Sequence, residues 1–421
     1  MSTSTADLPY KAGDVASILP FNSELEVNRF IAVLPEAVAA VVDAVMHIEF
    51  DERLMDNRYT RWPQCCTLRG WLTYCADIHS LPEREDMRAL SQYCSSLHEE
   101  GRDHAEKLKS LSETSEAALY ADYILREKRS WADVFYDFES LQSSGSKLTI
   151  EALLTLLPPM RPRDFSIASS PLHDNLQKQQ NGGMTSGGLQ GDGKGFSIEL
   201  CVAVVEGTTR LGRPYHGLCS KFLSSLEPSN EDPRLVQVWI RPGTFGKLPL
   251  AMSSPQSFQT PILCVGAGTG IAPMRSLILE RCAALSQERS ESDENQESPD
   301  PNQNILLFGC RRKSADYYYE GEWDALAKDN KLRLLTAFSR DQVRKIYVQK
   351  VLREAEEGSL IANHILEKGG AVYIAGGPKM ARAVKDELVE VLSEQLGGEK
   401  EANRLLNKLQ RLGRFSIEAW S

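Results

Sequence analysis

From Pro261 onward the sequence repeats one rhythm, a short apolar run followed by a helical pattern, and this restricts the fold more than any other feature. PILCVGAGTG leads into IAPMRSLILERC; NILLFGC, LRLLTAFS and AVYIAGG follow, the last leading into KMARAVKDELVEVL. Short apolar runs bounded by glycines read as strands, and strands alternating with helices build a parallel sheet covered by helices.

Upstream the periodicity changes twice. Between about Ser23 and Ser140, EVNRFIAVLPEAVAAVVDAVM and EDMRALSQYCSSLHEEG place apolar residues three and four apart, the spacing of amphipathic helices. From 147, after the helical EALLTLLPP, DFSIAS, GFSIELCVAVVEG and RLVQVWIRPG read as strands of a barrel or sandwich. HDNLQKQQNGGMTSGGLQGDGKG (173–195) and SQERSESDENQESPDPNQN (286–304) are polar, and are expected to be loop insertions without a core.

A chain of 421 residues is long for one core and implies two or three domains. Its net charge of −10 argues against a nucleic-acid partner. The cysteines number nine, with no CxxC pair, which suits neither a disulfide framework nor a structural zinc site; reduced, buried thiols of a cytoplasmic protein are expected, and no metal. MSTSTADLPYKAGD has neither a basic n-region nor an apolar h-region, so no secretory signal is expected. The stretch VLPEAVAAVVDAVMHI is interrupted by Glu36 and Asp43 and is too short to span a bilayer, so no membrane association is expected.

Four stretches carry chemistry. VGAGTGIAP (265–273) joins a strand to a helix, where free amides and the helix dipole favour an anion; its spacing is GxGxG, not GxGxxG, and glycines for packing are the alternative. AFSRDQVRKIYVQ (337–349) gathers a hydroxyl, cations and a ring at a strand end, as an adenosine 2′-phosphate requires; a solvated basic helix start is the alternative. HGLCSKFLSSL (216–226) presents a small-residue turn entering a helix, a second pyrophosphate cradle unless Ser220 is simply an N-cap. RPRDFSIASSP (161–171) sets arginines, an aromatic and serines around one strand, as a charged cofactor with a flat ring requires.

Together and in this order, these motifs and the RLGRFSIEAWS ending resemble the diflavin reductases, the family of NADPH-cytochrome reductases. Ala375 in YIAGG and the GLCS turn bring it nearest the branch serving cytosolic iron–sulfur assembly. The resemblance implies a ferredoxin-NADP reductase-like FAD barrel (8–22 and 147–258) carrying an all-helical connecting insert (23–146). A doubly wound parallel-sheet NADPH domain (259–421) follows. It also implies an FMN flavodoxin-like domain, expected to lie outside this sequence because YKAGDVASILPFNS looks like the barrel strand just before the insert, and an anamorsin-type iron–sulfur protein as acceptor.

By position, the resemblance assigns Arg163 to the FAD pyrophosphate, Phe165 to stacking on the flavin, and Ser166 to flavin N5. Gly217, Leu218, Cys219 and Ser220 would hold the pyrophosphate through their amides. Gly268, Thr269 and Gly270 would hold the NADPH diphosphate with Arg311 nearby, and Ser339, Arg340, Lys345, Tyr347 and Gln349 the 2′-phosphate and adenine. Trp420 would cover the other flavin face and swing away, and Glu418 would assist hydride transfer. Gly207 stands where relatives often carry an aromatic against the FAD adenine. Two other readings stay open, a stand-alone NADPH flavoreductase of small acceptors and a non-catalytic interaction module derived from a reductase.

Overall fold

The computed structural model describes residues 10–49, 62–180, 196–227, 236–247, 260–291, 300 and 303–420. The chain divides into two compact units: residues 1–17, 164–202 and 239–421, and residues 18–163 and 203–238.

The first unit is built on a five-stranded parallel sheet. Its strands are β1 (Ile262–Ala267), β2 (Asn304–Cys310), β3 (Arg333–Phe338), β4 (Ala371–Gly376) and β5 (Phe415–Ala419), in the order β3-β2-β1-β4-β5. Register pairs Val265 of β1 with Leu307 of β2 and Ile374 of β4, and Ile374 in turn with Ile417 of β5. Because successive side chains point to opposite faces, the strands feed two cores. Cys264, Leu306, Phe308 and Tyr373 pack with Ile271, Leu277 and Trp323; Leu263, Val265, Ile305, Leu307 and Ile374 pack with Leu352, Val384, Leu388 and Leu406. Burial on both faces is why these strands are continuously apolar. The helix Ile271–Glu291 covers one face, and the helices Val348–Glu354, Pro378–Leu396 and Glu399–Arg411 cover the other.

The expected loops are shorter than their polar composition suggested. Residues 171–180 of the first form a helix, Pro171–Gln180. Pro171 opens it, Ser170 Oγ accepts the His173 amide at 3.1 Å, and Leu172 and Leu176 pack on the core. Residues 286–291 of the second continue the helix from Ile271, since an established helix extends at little cost, and Asn304 already belongs to β2. Residues 181–195, 292–299 and 301–302 lie outside the described residues.

Of the expected barrel strands, Arg163–Ser166, Val15–Leu19 and Gln237–Arg241 form a three-stranded sheet in that order. GFSIELCVAVVEG contributes the isolated bridge Leu200 to Ile167 and the short strand Glu206–Thr208. Tyr10, Ala16 and Ile167 make a small core in the first unit, where the Tyr10 hydroxyl lies 2.7 Å from Ser169 Oγ.

The second unit is mostly helical. Ser23, Thr67, Ser130 and Thr149 each cap a helix by accepting a backbone amide, at Glu24–Ile31, Leu68–Tyr74, Trp131–Asp137 and Ile150–Leu156. Trp71, Trp131, Phe30 and Phe135 are fully buried in its core, the last two edge to face at 5.5 Å. The antiparallel pair Glu206–Thr208 and Pro214–His216 and the helix Leu218–Ser224 also belong to it. Val45–His47 pairs antiparallel with Cys65–Thr67, so the segment 23–146, expected to be all-helical, is not. Among the described residues no helix is long and apolar enough to cross a membrane.

Candidate active site

The strand order of the parallel sheet reverses between β1 and β4, which opens a crevice beyond the carboxyl ends of these two strands, the position where such sheets hold their ligands. The glycine motif lies there. Gly268 has φ +57°, a conformation that a side chain disfavours, and Gly268–Gly270 form one tight turn into the helix Ile271–Glu291. A Cβ on Gly270 would lie 2.6 Å from the carbonyl carbon of Ala375 and closer still to its oxygen, so the turn reaches β4 only because this residue is glycine. Gly377 and Pro378 start the helix Pro378–Leu396 across the same crevice. Two helix N-termini thus converge on it, as a diphosphate needs.

Along the same sheet edge, β2 ends at Cys310 and β3 at Phe338. The Ser339 amide donates to Cys310 O at 2.9 Å and the Arg340 amide to Arg311 O at 2.8 Å, which places the two arginines side by side. Arg311, Arg340 and Lys345 are exposed, and among the described residues none has a carboxylate partner. In a chain of net charge −10, cations without a carboxylate partner are available to an anion. Tyr347 is 46% exposed; Gln349 follows in the first turn of the helix Val348–Glu354.

On the other side of the crevice, β5 pairs Glu418 with Ala375 and Ala419 with Gly376. Ser166 Oγ donates to Glu418 Oε1 at 3.4 Å, joining residues 252 apart in sequence. The other carboxylate oxygen, Oε2, is buried without a hydrogen-bond partner. Burial pushes the Glu418 carboxyl above its ordinary value, and the Ser166 hydroxyl opposes this. Trp420 donates its amide to Gly376 O at 3.2 Å, and its side chain is 37% exposed. Phe165 and Ser166 are half-buried.

One helix supports this side of the site. Arg275, on the helix Ile271–Glu291, donates to both carboxylate oxygens of Glu322 at 2.6 and 3.0 Å, to Glu199 at 2.6 Å and to Ala168 O at 2.9 Å. Ser276 Oγ donates to Ser169 O at 2.6 Å, and Glu280 accepts from Ser170 Oγ at 2.5 Å and from the Leu172 amide at 3.4 Å. Sequence reasoning missed Arg275, although an arginine inside the apolar run IAPMRSLILE is the signal of a buried, paired cation.

In the second unit Arg163 donates to Asp77 Oδ2 at 2.7 Å and to Arg161 O at 2.5 Å. Asp77 was not visible from spacing, being 86 residues away. Its Oδ1 is buried without a partner. The N-cap of the helix Leu218–Ser224 is Gly217, not Ser220. The Gly217 amide is committed to Val205 O at 2.7 Å. Ser220 Oγ accepts the Val205 amide at 3.0 Å and donates to Gly217 O at 3.1 Å, so its hydroxyl pins the turn. Leu218 and Cys219 are buried, and burial pushes the Cys219 thiol up to about 11, opposed by Arg163. Gly207 faces Tyr215 across the hairpin, and a Cβ there would lie 2.7 Å from the tyrosine oxygen; the neighbouring strand's ring covers this position.

Comparison with known proteins fits these features. The FAD binding domain family matches residues 1–177, and the oxidoreductase NAD-binding domain family matches residues 264–386. The chain is 32% identical to the NADPH-dependent diflavin oxidoreductase 1 of Danio rerio and 33% identical to that of Mus musculus, in each case over 99% of this chain and 60% of the relative. It is 31% identical to the NADPH–cytochrome P450 reductase of Cavia porcellus, over 100% of this chain and 55% of the relative. It therefore spans well under two thirds of the length of these relatives. Over its whole length the chain is thus similar to proteins named NADPH-dependent diflavin oxidoreductase 1 and NADPH–cytochrome P450 reductase, and it matches FAD-binding and NAD-binding oxidoreductase domain families.

Proposed function

We propose that this chain is the FAD- and NADPH-binding half of a diflavin reductase. In this reading it takes hydride from NADPH and passes single electrons, through an FMN flavodoxin-like domain, to an anamorsin-type iron–sulfur protein of cytosolic iron–sulfur cluster assembly. Residues 8–22 and 147–258 are its FAD barrel, 23–146 its connecting insert and 259–421 its NADPH domain. The observation that supports the reading most directly is the Ser166–Glu418 contact beside a dinucleotide crevice. It sets a hydroxyl against a carboxyl on β5, beside β4, one strand from where the strand order of the sheet reverses.

Two features of the nucleotide side support this reading. Gly270 lets the turn sit directly against the Ala375 carbonyl, where any side chain would clash, and Glu418 Oε2 is a buried polar atom with no hydrogen-bond partner among the described residues. Gly268, Thr269 and Gly270 would hold the NADPH diphosphate with Arg311 beside them. Ser339, Arg340, Lys345, Tyr347 and Gln349 would hold the 2′-phosphate and adenine. In the second unit Arg163 and the turn Gly217, Leu218, Cys219 and Ser220 are assigned to the FAD pyrophosphate; in the first, Phe165, Ser166 and Trp420 are assigned to the ring. FAD supplies the redox chemistry when bound, accepting electrons in pairs and releasing them singly.

The chain's own contribution is positioning and proton management. Burial raises the Glu418 carboxyl above its ordinary range and so favours its protonated form, and Ser166 orients it from 3.4 Å. Trp420 is fixed by its amide to Gly376 O while its ring is 37% exposed, so the ring can turn aside without breaking the sheet. Absorbance of the FAD-supplemented protein before and after NADPH addition tests the reading: flavin absorbance that bleaches is expected, and a colourless, unresponsive protein rejects it. Ferricyanide reduction by the chain alone, with cytochrome c reduction requiring an added FMN domain, is expected of the donor half.

A further inference from the structure

Glu26, His79 and His216 converge in the second unit from three distant parts of its sequence. Glu26 sits in the first turn of the helix Glu24–Ile31, His79 follows the helix Leu68–Tyr74, and His216 ends the strand Pro214–His216. Their ligand-type atoms all lie within 4.8 Å of one another. His216 Nε2 is 2.9 Å from Glu26 Oε1, and His79 Nε2 is 3.3 Å from Glu26 Oε2. The two imidazole rings meet edge to face with centroids 5.5 Å apart.

From this geometry we propose that Glu26, His79 and His216 form a binding site for a first-row divalent cation, zinc foremost. Neutral imidazole and carboxylate are the donors zinc prefers, and two histidines with one glutamate make a three-ligand set with an open fourth position. Metal–ligand bonds of about 2.0–2.2 Å hold donor atoms roughly 3.3–3.5 Å apart on a tetrahedron. The two histidine nitrogens stand 2.9 and 3.3 Å from the two different oxygens of Glu26, so the side chains need only open slightly to admit an ion between them. Glu26 is held in place from outside the trio: Ser23 Oγ donates to its Oε2 at 2.7 Å and the Ser23 amide does so at 3.2 Å. Carboxylate ligands are commonly oriented in this way. Apart from its 3.3 Å approach to Glu26 Oε2, His79 Nε2 is buried with no other partner among the described residues.

A cation already approaches this point. Lys221 Nζ lies 2.9 Å from Glu26 Oε1 and 3.1 Å from His216 Nε2. An ammonium and a metal ion compete for the same acceptors, and the Lys221 side chain is 48% exposed, so it can leave. His216 immediately precedes Gly217, the cap of the helix Leu218–Ser224. A bound ion would therefore tie that turn to the first helix of the unit. The inference does not depend on the electron-transfer reading.

The test uses the full chain. Zinc binding is measured by calorimetry, and cobalt(II) is followed by its visible d–d difference spectrum and displaced by zinc. The wild type is expected to give the intense d–d band of a tetrahedral nitrogen–oxygen site, without the near-ultraviolet thiolate band that the adjacent Cys65 and Cys66 would produce. His79→Ala, His216→Ala and the milder His79→Gln should each remove the band and weaken zinc at least about tenfold, with near-ultraviolet circular dichroism unchanged. Lys221→Met should leave zinc affinity equal or tighter. A band that survives loss of both histidines, a thiolate spectrum, no zinc uptake by the wild type, or weaker uptake by Lys221→Met overturns the proposal; the last would mean that the lysine closes a purely structural ion cluster.

Discussion

Gly270→Ala puts the nucleotide crevice to a direct test. An added methyl would stand 2.6 Å from the Ala375 carbonyl carbon and 3.0 Å from the Gly376 amide nitrogen. The first distance is about 0.8 Å short of the 3.4 Å at which ordinary contact begins. Both obstacles are backbone, so no flexible side chain can yield. Either the helix Ile271–Glu291 or the end of β4 must move. Overpacking of this kind costs about 1–3 kcal/mol of stability. A shift of this size at a binding surface is expected to weaken NADPH roughly 10–100-fold, since misplacement by an ångström can cost about 10²-fold. FAD content should change little, because the turn is assigned to the nucleotide alone. The assay pairs NADPH titration with the flavin absorbance of the purified variant and its denaturant midpoint. Gly321→Ala is the control: a methyl there meets nothing within 4 Å, inside the helix Glu320–Lys328, and stability should hold or rise by about 0.4–1 kcal/mol. NADPH affinity within twofold of wild type in Gly270→Ala would refute the assignment of this turn to the diphosphate.

Three further perturbations address the other parts of the site. Ser166→Ala should slow flavin reduction by NADPH about 10²-fold or more while leaving NADPH affinity nearly unchanged, since the hydroxyl orients Glu418; equal losses in stopped-flow rate and in affinity would count against that role. Arg340→Ala or Lys345→Ala should weaken NADPH about 10–100-fold and NADH hardly at all, because a hydrogen bond to a charged group contributes about 1.5–3 kcal/mol; comparable effects on both nucleotides in steady-state kinetics would place the 2′-phosphate elsewhere. Glu418 has its folded-state pKa raised by burial from an ordinary value near 4.5, so the folded state binds the proton more tightly than the unfolded. Its contribution to stability therefore falls as pH rises from about 4.5 through the raised value and is flat above it. Glu418→Gln should lack that decline and gain on the wild type in denaturant midpoints as pH rises above about 4.5; parallel curves would show that the carboxyl is not held in this way.

The parallel sheet was legible because both of its faces are buried. Such strands must be continuously apolar, and ILCVGA, NILLFGC and AVYIAG announce themselves. The helix Pro171–Gln180 was hidden by its polar exterior, although Ser170, Pro171 and the pair Leu172 and Leu176 carry the signals of a capped helix with one apolar stripe. The glycine turn and the Arg340 edge can be placed from sequence because each follows directly from a strand end, whereas Arg311 and Glu418 are assigned only by resemblance. Asp77 beside Arg163 could not, since an ion pair between residues 86 apart leaves no trace in spacing. The same holds for His79 and His216, which sequence offers only as isolated imidazoles. Sequence leaves open whether Ser220 caps its helix, because a serine near a helix start can serve the turn as well as the helix; here its hydroxyl binds Val205 and Gly217, and Gly217 is the cap.

Arg275, Ser276 and Glu280 bolt successive turns of one helix to residues 168–172. That helix begins at Gly270, and the segment it grips begins two residues beyond Ser166. The nucleotide end and the hydroxyl end of this unit consequently ride on a single lever. Slow deuterium uptake should report them as one cooperative block, and loosening either end by mutation should unlock the amides of both.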